Sequence, residues 1–147
     1  MTKVLCLDTS VLISYLVADE NEPQADALVL EAVLGIARLV LPAFAWAEVG
    51  SVLRKKVRMG LLTIEEAQGC YRDFSNLPID YINGESVRAR SWELAEQYQL
   101  PTLYDAAFLA CAESESAEFW TADEVLLRKL SPCPSYVHQP TQSRLSK

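Results

Sequence analysis

The sequence predicts an α/β layer fold around a mostly parallel sheet, on three observations. Short apolar runs of strand length alternate with longer stretches of helical periodicity. Half of the 147 residues are hydrophobic, enough for one domain of ordinary size to bury a core. No repeat, low-complexity tract or linker divides the chain. In order, Lys3–Leu7 reads as a short buried strand and residues 10–17 as an apolar helical region. Residues 24–38 carry helical periodicity, with Ala27, Leu28, Leu30, Val33, Leu34 and Ala37 apolar. Residues 39–41 follow as a second strand, stopped by Pro42. Residues 43–59 form an amphipathic helix ended by Gly60, and 63–75 another, whose Thr63 and Glu66 spell a capping box. Ile79–Ile82 is a third strand, closed by the turn pair Asn83-Gly84. Pro101 separates helices at 85–99 and 102–115. Glu118–Trp120 is a strand, 123–130 a helix and 135–138 a last short strand. A single domain is expected over 1–138, with a polar C-terminal tail over 139–147.

Composition removes several function classes. No apolar run reaches bilayer-spanning length, since Glu31, Gly35 and Arg38 interrupt the stretch 28–41. The first apolar stretch is short and carries Asp8, unlike a signal peptide. Cys6, Cys70, Cys111 and Cys133 form no CxxC pair, and Cys6 and Cys111 sit in apolar runs. That pattern fits buried thiols in a reducing compartment, so the expected address is the cytoplasm, with no membrane partner. A net charge of −7 argues against broad adhesion to nucleic acid, but not against a phosphate substrate met through cations. With His138 as the single histidine, neither an ordinary structural zinc site nor a two-histidine nuclease can be built. Hydrolytic chemistry would have to rest on carboxylates.

Four acids stand out by position. In open parallel sheets, sites form beyond the carboxyl ends of the strands. Asp8 follows the first strand, and Asp123 follows Glu118–Trp120. Asp105 opens a helix rich in small residues (Ala106, Ala107, Ala110, Ala112), which expects it to face inward. Glu48 flanks the apolar arc of Ala45, Val49, Val52, Leu53 and Val57. Each has a plain structural reading: Asp8 and Asp123 as helix N-caps, Asp105 in a capping box with Thr102, Glu48 in a loose pair with Lys55. Brought together at one sheet edge, they would repel one another by several kcal/mol in aggregate. Hard divalent cations relieve that repulsion, and oxygen ligands suit Mg²⁺ or Mn²⁺.

The stretches "LDTSVLISYL", "LYDAAFLACAE" and "FWTADEVLL", with Glu48 between the first two, resemble the PIN-domain family. Within it they resemble specifically the VapC-type toxins of bacterial toxin–antitoxin pairs, over essentially the whole chain. The resemblance implies a three-layer α/β/α sandwich and an endoribonuclease dependent on Mg²⁺ or Mn²⁺. It implies Asp8, Glu48, Asp105 and Asp123 as catalytic acids, with Asp8, Asp105 and Asp123 on the metal and Thr9, Ser10 and Thr121 as supporting hydroxyls. It also implies three partners: an RNA substrate, a cognate antitoxin lying in an apolar groove, and a second copy in a homodimer.

Competing readings are a catalytically silent PIN-like module that binds RNA or protein, a receiver-type phosphoacceptor domain, and a flap-type DNA nuclease. A receiver needs a lysine after its last strand, and "SYVHQP" offers none; the chain also lacks room for a flap nuclease's arch. The segment "RKKVR" (Arg54, Lys55, Lys56, Arg58) is a possible RNA contact, or else a dipole-matched helix end. Trp46, Trp92 and Trp120 are assigned to core or interface, and Arg88, Arg90 and Arg128 to surface ions. Val11, Leu12, Tyr15 and Leu16 are assigned to the core ahead of a partner surface.

Overall fold

In the computed structural model, which describes residues 2–140, five strands form one sheet. They are β1 (Lys3–Leu7), β2 (Ala37–Pro42), β3 (Ile79–Ile82), β4 (Glu118–Trp120) and β5 (Val137–His138). Their order is β3-β2-β1-β4-β5, and every neighbouring pair is parallel. Among the described residues seven α-helices accompany them, with a 3-10 turn at Ala18–Glu20: α1 (Thr9–Leu16), α2 (Pro23–Val33), α3 (Ala45–Arg58), α4 (Ile64–Ser75), α5 (Glu85–Tyr98), α6 (Tyr104–Ser114) and α7 (Glu124–Lys129). β1 is central, and Leu5, Cys6 and Leu7 are all fully buried. Side chains alternate across a strand, so both faces of the sheet must be covered there, which explains an apolar run without alternation. Cys6 Sγ points at the Phe108 carbonyl of α6, at 3.7 Å. Leu5 and Leu7 therefore face the opposite layer, where α1 lies against β1.

The strand order decides where a site can form. From β1 the chain steps through β2 to β3 at one edge, whereas β4 and β5 lie on the other side. The order thus reverses between β1 and β4, and a crevice opens beyond their carboxyl ends. This winding differs from the 2-1-3-4-5 order of flavodoxin-like receivers.

Two local expectations are corrected. The helix expected over 24–38 ends at Val33, because Gly35 takes a left-handed φ of +78° and turns the chain. Ala37 and Arg38 already pair with Lys3 and Val4 in the sheet. Arg38 is tolerated in a strand because its guanidinium points outward to Asp80 at 2.6 Å and Glu115 at 2.8 Å. The capping box expected from Thr102 and Asp105 does not form: α6 starts at Tyr104, and its N-cap, Leu103, makes no side-chain cap bond. The box at Thr63 and Glu66 does form, with reciprocal bonds of 2.9 and 3.0 Å.

The described cysteines are all free, with Cys6 and Cys111 buried. Burial pushes the Cys6 thiol well above its usual range, which keeps it inert. Among the described residues no helix is long and apolar enough to cross a membrane. Of the tail expected over 139–147, residues 141–147 lie outside the described residues.

Candidate active site

The crevice between β1 and β4 is built around Asp8. Its backbone N–H donates to the Trp120 carbonyl at 3.1 Å, extending the pairing of β1 with β4 by one rung. Its side chain caps α1, accepting the Val11 N–H at 3.2 Å and the Ser10 hydroxyl at 2.5 Å. The Thr121 hydroxyl, fully buried, also donates to this carboxylate. Ser10 and Thr121 in turn accept the backbone N–H groups of Ala122 and Asp123, at 2.9 and 3.0 Å. Two hydroxyls therefore lace the ends of two strands to one acid. Asp123 caps α7 through Oδ1, accepting from Val125 at 2.9 Å and Leu126 at 3.1 Å. Both structural readings of these acids are real, and neither uses every carboxylate oxygen.

Glu48 lies in the first turn of α3 and accepts a hydrogen bond from the Thr9 hydroxyl. Its partner is thus the residue beside Asp8 and not Lys55, as the helical projection suggested. Asp105 sits half-buried in the first turn of α6, free of capping duty.

Electrostatics tie the four acids together. Burial pushes the Asp8 carboxyl up to about 7, against the hydrogen bonds that pull it down, and the charge of Asp105 adds to the rise. Asp105 is raised to about 6, first by burial and then by the charges of Asp123 and Glu48. Asp105 is therefore the hub to which the other three couple. Lys129, at the end of α7, pulls it the other way and is the one cation felt there among the described residues; the sequence offered no sign of it beyond its place after Asp123.

The donor chemistry suits a hard divalent cation, since every group is a carboxylate or hydroxyl oxygen and the carboxylates repel one another. Among the described residues, no three His, Cys, Asp or Glu side chains already stand as a ligand group. Asp8 and Asp123 turn oxygens to backbone N–H groups, and Glu48 turns one to Thr9.

Residues 5–130 match the family model of the PIN domain, a span that takes in all four acids. The chain belongs to the PIN domain family. The PIN fold is seen again in solved structures. A toxin–antitoxin complex from Klebsiella pneumoniae is 21% identical with a TM-score of 0.64, over 94% of this chain and 98% of that one. VapBC2 from Rickettsia felis, bound to a DNA fragment from its promoter, is 16% identical with a TM-score of 0.64, over 92% and 98%. PAE2754 from Pyrobaculum aerophilum is 19% identical with a TM-score of 0.68, over 95% and 92%. At such identities the likeness speaks for the fold. Among curated proteins, none matches the sequence.

The remaining candidates of this PIN domain fall as follows. Arg54, Lys55 and Arg58 are exposed on α3, whereas Lys56 turns to Glu20 at 2.5 Å. Arg90 binds Glu113 and Glu93 at the surface, and Val11, Leu12 and Leu16 are core. Of the tryptophans assigned to core or interface, Trp46 is 53% and Trp92 61% exposed, so neither belongs to the core. Trp120 is half-buried and stacks on His138, ring centres 4.9 Å apart. Trp46 borders a groove of about 770 Å³ between α3 and α4, lined also by Leu53, Ile64, Ala67 and Tyr71, with Arg54 and Arg72 at its sides.

Proposed function

We propose that this PIN domain is a metal-dependent endoribonuclease that hydrolyses phosphodiester bonds of RNA, and the toxin of a toxin–antitoxin pair. The observation that supports the reading is the charge coupling of Asp105 to Asp8, Glu48 and Asp123 beside the crevice where the strand order reverses. Asp8, Asp105 and Asp123 would hold Mg²⁺, or Mn²⁺ in its place, with Glu48 at the margin. When bound, the cation supplies positive charge at the phosphate and makes water a stronger acid. The chain's own residues do the rest. Ser10 and Thr121 hold the Asp8 carboxylate in place, and Thr9 holds Glu48. Asp105, without a cap bond, keeps its oxygens for the site. Arg54, Lys55 and Arg58 give an otherwise acidic chain a cationic track for RNA phosphates. Lys55 lies seven positions beyond Glu48, two helical turns along the same face.

The test is cleavage of a structured RNA by the purified chain with Mg²⁺. Cleavage lost in excess EDTA and in Asp8→Asn is expected; cleavage that persists in either overturns the scheme. A second reading, an RNA-binding module that does not cut, is favoured by the lack of a ready ligand group among the described residues. RNA bound but left intact by the wild type would decide for it.

The antitoxin partner is supported by the α3–α4 groove, whose apolar walls suit a peptide segment, and by solved PIN relatives that are toxin–antitoxin complexes. A cytoplasmic address and self-association belong to the same reading. Co-purification with the product of a short reading frame next to this gene tests the first partner, and light scattering tests the second copy.

A further inference from the structure

The groove between α3 and α4 has an apolar floor and a cation on each wall. On α3, Trp46, Gly50 and Arg54 follow at four-residue spacing and so share a face. On α4, Ile64, Ala67 and Tyr71 do the same at spacings of three and four, with Arg72 next in the chain. The chain turns back between residues 58 and 64, so the two helices run antiparallel and Tyr71 comes to lie over Gly50. A Cβ placed on Gly50 would stand 3.1 Å from Tyr71 Cε1, so the ring rests almost on the α3 backbone. Trp46, Ile64 and Tyr71 are exposed, an apolar surface held open to water at a cost. Neither Arg54 nor Arg72 meets a carboxylate among the described residues, although acids outnumber bases by 20 to 13 in the chain. Arg38, Lys56 and Arg90 each find one.

We infer that this groove takes an acidic amphipathic helix of a second protein, its apolar face on Trp46, Ile64 and Tyr71 and its carboxylates on Arg54 and Arg72. This rests on the antitoxin reading above and adds the chemistry of the segment. Two antiparallel helices leave a trough that a third helix fills, ridge into groove. Two cations without partners in an acidic chain ask for carboxylates in whatever fills it. A second copy set groove to groove would oppose arginine to arginine, which is repulsive. RNA phosphates would satisfy the cations, but the apolar floor offers a polyanion no partner. Arg54 is also the first cation of the track proposed for RNA. The bound helix therefore takes a contact away from RNA while standing outside the acid crevice, and displacement follows from charge and position.

The test uses the full chain and two labelled synthetic helical peptides with the same leucine face, one flanked by glutamates and the other by lysines. The glutamate peptide should bind about tenfold tighter, the difference made by two ion pairs partly screened by water. It should also shift the emission of Trp46 to the blue, read in a Trp92→Phe background that removes the other open tryptophan. Arg54→Glu with Arg72→Glu should reverse the order of the two peptides. Ile64→Ser, an exposed change at the first position of α4, should weaken the glutamate peptide about tenfold and leave RNA affinity as it was. Binding of neither peptide, equal affinity for both, or an order that the double variant does not reverse overturns the inference. If light scattering then shows a dimer that Ile64→Ser dissociates, the groove belongs to a second copy. RNA affinity that falls with Ile64→Ser gives the groove to nucleic acid and overturns the inference as well. Excess glutamate peptide should raise KM for RNA and leave kcat alone, and an unchanged KM with the groove filled refutes displacement through Arg54. A chain that sorts the peptides by charge but does not co-purify with the product of the neighbouring short reading frame refutes the antitoxin reading alone. One that co-purifies with it yet treats the peptides alike refutes the acidic helix alone.

Discussion

Replacing Asp8 by asparagine should strengthen the fold of the cation-free protein while ending cleavage. Asp8 is 5% exposed, and its carboxyl titrates at about 7 in place of 3.8. Between those values the folded chain keeps a proton that the unfolded chain has released. Stability therefore falls as pH rises from about 4 to about 7, the reverse of a salt-bridged carboxylate. A difference of about 3 pH units corresponds to up to roughly 4 kcal/mol, held against the fold by one buried anion. Asparagine keeps an oxygen to accept from Ser10 and Val11, and it removes the charge. Urea unfolding of wild type and Asp8→Asn in EDTA reads the gap directly. At pH 8 the variant should be the more stable, with a melting temperature higher by about 10 °C at the full value for a chain of this length. At pH 4 the two should converge. Adding Mg²⁺ at pH 8 should raise the wild type towards the variant and leave the variant unmoved. A variant less stable than wild type at pH 8 in EDTA would refute the reasoning, because Asp8 would then gain from its charge without a cation.

Other perturbations separate the parts of the site. Ser10→Ala removes the hydroxyl that joins Asp8 to the Ala122 N–H; it should cost about 1–2 kcal/mol in urea unfolding and weaken cleavage. Phe108→Ala empties a fully buried ring position and should cost roughly 3–5 kcal/mol by the same method. Reversing Arg54 and Lys55 to glutamate should lower RNA affinity and flatten the plot of log affinity against log salt by about 2, and an unchanged slope would assign these residues to plain helix-end solvation. Lys56→Ala, which gives up only the pair with Glu20, should cost under about 1 kcal/mol and leave that slope nearly alone.

Elements whose cause is local were legible in the sequence. β1, β3 and β4 begin and end where apolar runs and turn residues place them, and the Thr63 cap forms as spelled. The boundary between α2 and β2 was misread because Ala37 and Arg38 continue a helical period. What ends the helix is Gly35, and what holds Arg38 in a strand is a pair of acids, Asp80 and Glu115, far along the chain. Asp105 was misread for a similar reason. Thr102 and Asp105 have capping-box spacing, but α6 starts two residues later, and the side chain goes unclaimed by the backbone. The candidate acids themselves were legible as residues at strand ends and helix starts. That they would gather at one sheet edge was read there too; the pairing of Glu48 with Thr9 was not, since it depends on α3 lying beside α1.

The central place of β1 has a consequence for how the molecule is made. β1 gains β2 early, but the partner on its far side, β4, comes only from residues 118–120. Until that segment is synthesised, Asp8 has neither the Thr121 hydroxyl nor the Ser10-to-Ala122 tie to hold it, and Asp123 does not yet exist. A growing polypeptide therefore carries an incomplete candidate site until β4 has formed. The crevice can close only after β4 is made, a delay written into the order in which the strands are laid down.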